Sequence, residues 1–302
     1  MAITTLVANL KDTGGAPEGA QAFWELYDGL EQKPGFAFLA EACKEADVLD
    51  PEFAAGAVLR GLKLYSEPYQ DSADIKDRHR WLAFAAGSQV VGAEVLHLGS
   101  RRERVRNIGR TAIRVRMRDE ETSSEIDMFG AHLSDRSAEL NEAQAIALLE
   151  QVDPERSTAF ALQTNAMRPW GLWQPVLRLA GSIFSRKSQA APGMPVPESL
   201  LSVEGRKWVP KRIASLAARL GGMAEGLSYS AIEAEGFKSD SPIRQRATVH
   251  IFGVPIGKVD HIWVRSAKVT THAPLKNPLT PTTRGLRQVP HRVVIGDVSA
   301  TA

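Results

Sequence analysis

The chain has one cysteine in 302 residues, Cys43, which excludes an intramolecular disulfide and any zinc cage built from thiolates. That scarcity fits a reducing compartment such as a cytoplasm. No apolar run approaches the length of a membrane-spanning helix. The opening MAITTLVANLKDTGG lacks the basic, apolar and small-residue sections of a secretion signal. GxGxxG, GxxxxGK[ST] and GxSxG are all absent, which removes the common nucleotide-binding and serine-hydrolase readings. No two of the seven histidines lie within four residues of each other on a helical stretch. The one crowd of potential ligands is Asp71, Asp74, Asp77 and His79 in DSADIKDRH, which reads as the charged start of a helix rather than a metal site. No metal or cofactor is expected.

What the chain does have is a charge gradient. Residues 1–98 carry 8 Lys/Arg against 15 Asp/Glu, and residues 238–302 carry 10 against 3. The whole chain nets only +2. An acidic front and a basic back point to a polyanionic partner, or to head-to-tail self-association.

Hydrophobic periodicity assigns the elements. Residues 18–32, 36–48 and 51–63 read as helices, the last opened by Asp50 with Pro51 in the first helical position. From residue 89 the period changes to two and about forty residues read as sheet. A helix is expected from Asn141, with Asn141 as cap and Gln144 three residues on, and residues 155–186 read as helical too. SRKSQAAPGMPVPE is the best linker candidate. A helix over 209–223 and strands over 227–235, 246–254, 259–270 and 291–298 complete the reading. The expectation is an α+β chain: a helical N-terminal region and central antiparallel sheet with flanking helices over 1–187, a linker at 188–197, and a helix followed by a basic β-rich part over 198–302.

The strongest local signal is RRERVRNIGRTAIRVRMR, residues 101–118, with eight arginines and one acid. In its second half Ile113, Val115 and Met117 alternate with Arg114, Arg116 and Arg118. Folded as a hairpin over 112–129, these arginines face Glu125 and Asp127 and neutralise themselves. That leaves Arg101, Arg102, Arg104, Arg106 and Arg110 without local partners. With Arg244, Arg246, Arg265, Lys268, Arg284 and Arg287 they form the candidate surface for a phosphate backbone. Trp170, Trp173, Leu177, Ala180 and Phe184 make a stripe that suits a buried helix better than a membrane surface.

The leading expectation from sequence is thus a non-enzymatic protein that coats, carries or organises nucleic acid. Single strands or RNA are favoured over specific duplex DNA, because no base-reading helix is visible. A self-assembling structural subunit is the second reading. The third is an enzyme whose site is assembled from distant residues, with His250, Asp260 and His261 as first suspects.

Overall fold

The computed structural model describes residues 2–10, 17–43, 51–67, 80–99, 110–119, 122–134, 138–165, 227–239, 249–251, 254–257, 260–272, 275–276 and 292–301. Within them lie fourteen strands: β1 Ile3–Asn9, β2 Phe36–Cys43, β3 Leu62–Ser66, β4 Arg80–Ala86, β5 Val90–His97, β6 Thr111–Arg118, β7 Glu125–His132, β8 Ser157–Gln163, β9 Val249–Ile251, β10 Val254–Gly257, β11 Asp260–Arg265, β12 Ala267–Thr271, β13 Leu275–Lys276 and β14 Arg292–Ala300. The helices are α1 Pro17–Gly29, α2 Pro51–Leu59, α3 Ala138–Leu149 and α4 Leu227–Ala234.

Two mixed sheets face each other. The first runs β12-β14-β1-β2-β4-β3, and the second β11-β8-β7-β6-β5. Between them lies an apolar layer built by alternation: Ile3 and Val7 of β1, Phe36 and Phe38 of β2, Ile126 and Met128 of β7, Ala159 and Ala161 of β8, and Ile262 and Val264 of β11. The opposite parity faces helices. Leu6 and Ala8 pack with Phe23, Trp24 and Tyr27 of α1 and Phe53 of α2. Phe129, Phe160 and Trp263 pack with Leu148 of α3 and Ile232 of α4. Strands buried on both faces carry apolar residues at every position. The result is a four-layer helix–sheet–sheet–helix stack, α+β as expected.

Several elements differ from expectation. Residues 36–43 and 157–163 are strands where helices were expected, and 227–234 is a helix where a strand was expected. FAFLAEAC and STAFALQ are rich in alanine, the best helix former, yet burial between two layers selects the extended form. The first region is therefore mixed rather than helical, with β1, β3 and β4 besides. The central sheet is also not wholly antiparallel, since β7 and β8 run parallel. Segments on both sides of residues 188–197 share the same sheets: β14 pairs with β1, and β11 with β8.

The expected hairpin forms. Arg116 lies opposite Asp127 and Arg118 opposite Glu125, with Arg116 Nε bonded to the buried Asp127 carboxylate at 3.0 Å. Arg118 pairs with Glu125 at 3.7 Å, and Arg114 pairs with Glu94 of β5 instead. At the other end of the stack, Arg60 lies over the Trp24 ring at 4.4 Å and binds Asp28, holding that carboxyl below its ordinary value.

Gly130 of β7 faces Phe38 across the layer, and a Cβ there would meet the ring at 2.3 Å. Gly130→Ala is expected to destabilise the fold by about 2 kcal/mol, because the fully buried ring must move. Denaturant unfolding checks this, and an unchanged midpoint would contradict the packing.

Candidate functional site

At one end the apolar layer gives way to buried polar residues from several strands. Asn9 follows Ile3 and Val7 in parity at the end of β1, His132 follows Ile126 and Met128 at the end of β7, and Gln163 follows Ala159 and Ala161 at the end of β8. Asp260, the first residue of the antiparallel β11, pairs with Gln163 and shares the parity of Ile262 and Val264. Strand direction brings all four to one end. Each is buried.

β2 contributes by breaking its own alternation. Ala40 faces the inter-sheet layer while Ala42 faces the helices, although both are even-numbered. The change falls at Glu41, whose φ is +54°, and the pairing of β2 with β4 shifts register between Leu39 and Cys43. Glu41 thereby points its carboxylate at His132, with Oε1 at 3.9 Å from Nε2. Only 7% of Glu41 is exposed, and its Oε2 has no hydrogen-bond partner among the described residues. Just past β8, Asn165 is also left-handed, with φ +49°. They are two of the four described non-glycine residues held at positive φ; the other two, Ser123 and Ser266, lie in the short β6–β7 and β11–β12 connections.

The side chains form a connected chain. Asn9 Nδ2 donates to Gln163 Oε1 at 2.8 Å, bridging the two sheets. Gln163 Nε2 donates to Asn165 Oδ1 at 3.4 Å. Asn165 Nδ2 donates to Leu133 O at 2.7 Å and meets His132 Nε2 at 2.9 Å. An amide nitrogen can only donate, so Nε2 accepts and the neutral imidazole carries its proton on Nδ1. From outside, α3 clamps this corner: Asn141 Nδ2 donates to Ser134 O and Thr164 O, and Gln144 Oε1 accepts from Ser134 N–H. The helix starts at Ala138, so Asn141 is not its cap. Both residues point at the site.

A third polar contact between the sheets lies beside the first two. Trp81 Nε1 of β4 donates to Thr111 Oγ1 of β6 at 3.1 Å, and Thr111 donates to Glu67 Oε1 at 3.0 Å.

The residues singled out from sequence fall differently. Asp260 belongs to this polar end of the layer, hereafter the cup, but His261, its neighbour, is buried on the opposite face of the sheet, between Tyr229 of α4 and Trp263. His250 lies on β9, which pairs with β10 rather than β11. The suspected trio therefore does not assemble, because adjacent strand residues point to opposite faces. Arg265 Nη2 bonds Asp153 O at 3.0 Å and its guanidinium lies 5.3 Å from the Phe237 ring centre. Lys268 is exposed on β12, and Arg110 is half-buried beside Leu98. Arg101, Arg102, Arg104, Arg106, Arg244, Arg246, Arg284 and Arg287, the linker and the Trp170–Phe184 stripe lie outside the described residues. No described helix is long and apolar enough to cross a membrane.

The described residues contain no group of three or more His, Cys, Asp or Glu placed to hold a metal. Glu41 offers a buried carboxylate oxygen with no hydrogen-bond partner among the described residues, and that fits a hard cation of the kind that keeps most of its waters and takes its remaining ligands from substrate phosphate.

No protein-family profile and no curated protein sequence matches the chain. Solved structures do. An endonuclease/exonuclease/phosphatase family protein of Bacteroides thetaiotaomicron superposes with a TM-score of 0.60 at 12% identity, covering 100% of this chain and 99% of that one. A mannosyl-6-phosphatase of the same organism gives 0.57 at 12%, covering 99% and 100%. D. rerio TDP2, complexed with a single-strand DNA product, gives 0.52 at 13%, covering 99% of each chain. The chain shares their fold. A fold met in nucleases and phosphatases overturns the leading expectation of a non-enzymatic coat, and nothing supports a structural or homo-oligomeric protein.

Backbone strain at Glu41 yields a test of this site. Glu41→Gly removes the left-handed penalty and an unpaired buried oxygen, so it should stabilise the chain by about 1 kcal/mol while deleting the carboxylate. Thermal unfolding reads it. A loss of stability would mean that Glu41 is a structural residue.

Proposed function

Taking as premise the fold shared with the endonuclease/exonuclease/phosphatase proteins, we propose that this chain is a phosphoester hydrolase whose substrate is single-stranded nucleic acid. The observation that carries the reading is the convergence of Asn9, Glu41, His132, Gln163 and Asn165 at one end of both sheets. The excess of basic residues after 238 and the single-strand DNA product held by the D. rerio neighbour support the choice of substrate.

The chemistry needs a base for water, an acid for the leaving oxygen and donors for the phosphate. His132 supplies the first two. Its Nε2 is the unprotonated nitrogen, and Asn165 can release it while keeping its second bond to Leu133 O. As the water oxygen bonds to phosphorus, its proton passes to Nε2. The Glu41 carboxylate, 3.9 Å away, stabilises the imidazolium that forms. The phosphorus–oxygen ester bond breaks, and the leaving oxygen takes the proton back from the imidazolium. Asn9 and Gln163 hold Asn165, and through it the ring plane. A cation held by Glu41 Oε2 would, when bound, neutralise phosphate charge.

His132→Ala and Glu41→Gln are each expected to lower kcat/KM at least 100-fold on bis(p-nitrophenyl) phosphate and on a single-stranded oligonucleotide, with unfolding midpoints near wild type. Steady-state assays with a dye-release and a gel readout check it. Activity retained in both variants would move the chemistry away from this cup.

A further inference from the structure

Three polar contacts between the sheets form a row. Asn9–Gln163 joins β1 to β8, Glu41–His132 joins β2 to β7, and Trp81–Thr111 joins β4 to β6. The first two make the cup, and the proposed hydrolysis leaves the third unused. Its carboxylate, Glu67, lies just past the end of β3, with its N–H on Trp81 O at 3.1 Å. It is only 8% exposed. Oε1 is held by Thr111, and Oε2 has no partner among the described residues.

Position ties this group to the cup. The β6–β7 register pairs Ala112 with Ala131, so the next pair outward is Thr111 with His132. Both side chains share the inter-sheet parity of Ile113 and Ile126, which makes them cross-strand neighbours about 5 Å apart. Glu67 is thus one hydrogen bond beyond the neighbour of His132. Glu67 Oε2 is not fully enclosed, so it stays open to a donor that reaches this end of the sheets.

Resting on the nucleic-acid reading above, we propose that Glu67, fixed by Thr111 and Trp81, is a subsite that accepts a hydrogen bond from a ribose 2′-hydroxyl, so that the cup prefers RNA to DNA. A carboxylate beside a phosphate chain repels it. DNA offers that oxygen no hydrogen in return at the sugar, whereas RNA offers one at every nucleotide, within one residue's reach of a phosphate held at His132. Repulsion of the wrong substrate combined with a bond to the right one is how a small site discriminates.

The test compares fluorescein-labelled oligouridylate with oligodeoxyuridylate of equal length, so that only the sugar differs. Binding is read by fluorescence anisotropy in EDTA, which needs no turnover. Wild type should bind the RNA about tenfold tighter or more, as one hydrogen bond to a charged acceptor provides. Glu67→Gln keeps the Thr111 contact and turns the free oxygen into a donor. It should weaken RNA binding, tighten DNA binding and bring the two within about twofold. Equal binding by wild type, or a preference that survives the substitution, overturns the subsite while leaving the hydrolase reading intact. Failure to bind either strand refutes the nucleic-acid substrate, and the subsite with it.

Discussion

Everything at the cup depends on how the layer between the two sheets ends. Along most of its length that layer is dry, filled by Ile3, Val7, Phe36, Phe38, Ile126, Met128 and Ile262, and burial there is what holds the sheets face to face. At one end the same inward parity delivers Asn9, His132, Gln163 and Asp260 instead. Polar groups in such a place need partners, and several find them across the sheets. The Asn9–Gln163 and Trp81–Thr111 bonds do the structural task of the apolar contacts they replace. They also leave Glu41 with an oxygen to use.

Strain is placed where the chemistry is proposed. β2 would have aimed Glu41 toward the helices had its alternation continued, and the left-handed residue turns the carboxylate to the inter-sheet side. Asn165, also left-handed, turns its amide back onto His132. α3 then fixes the corner with two buried amides, Asn141 and Gln144, which hold the backbone after β7 and β8. Rigid strands carry the site and a helix locks the two short turns that leave them.

How much of this was legible in the sequence depends on range. The hairpin of Arg116 and Arg118 against Asp127 and Glu125 was readable because its pairing is local and its period is two. α1 was readable from its amphipathic run and α2 from Pro51. β2 and β8 were not, because FAFLAEAC and STAFALQ satisfy helix propensity, and only the second sheet laid over them makes them strands. The cup was hidden with them. A usable signal existed: ITTLVAN, EIDMFGAH and STAFALQ each carry apolar inward positions that end in an amide or imidazole of the same parity. Nothing local says that those three ends meet. The arginine clusters drew the reading toward binding, since charge is visible in a chain and convergence is not.

The most direct measurement of the central claim is hydrolysis of a short single-stranded oligonucleotide in water enriched in oxygen-18, followed by mass analysis of the products. Attack of water on phosphorus at the cup predicts one heavy oxygen on each phosphate released by wild type, and none formed by His132→Ala. Heavy oxygen on the alcohol product, or incorporation undiminished in the variant, would contradict the account.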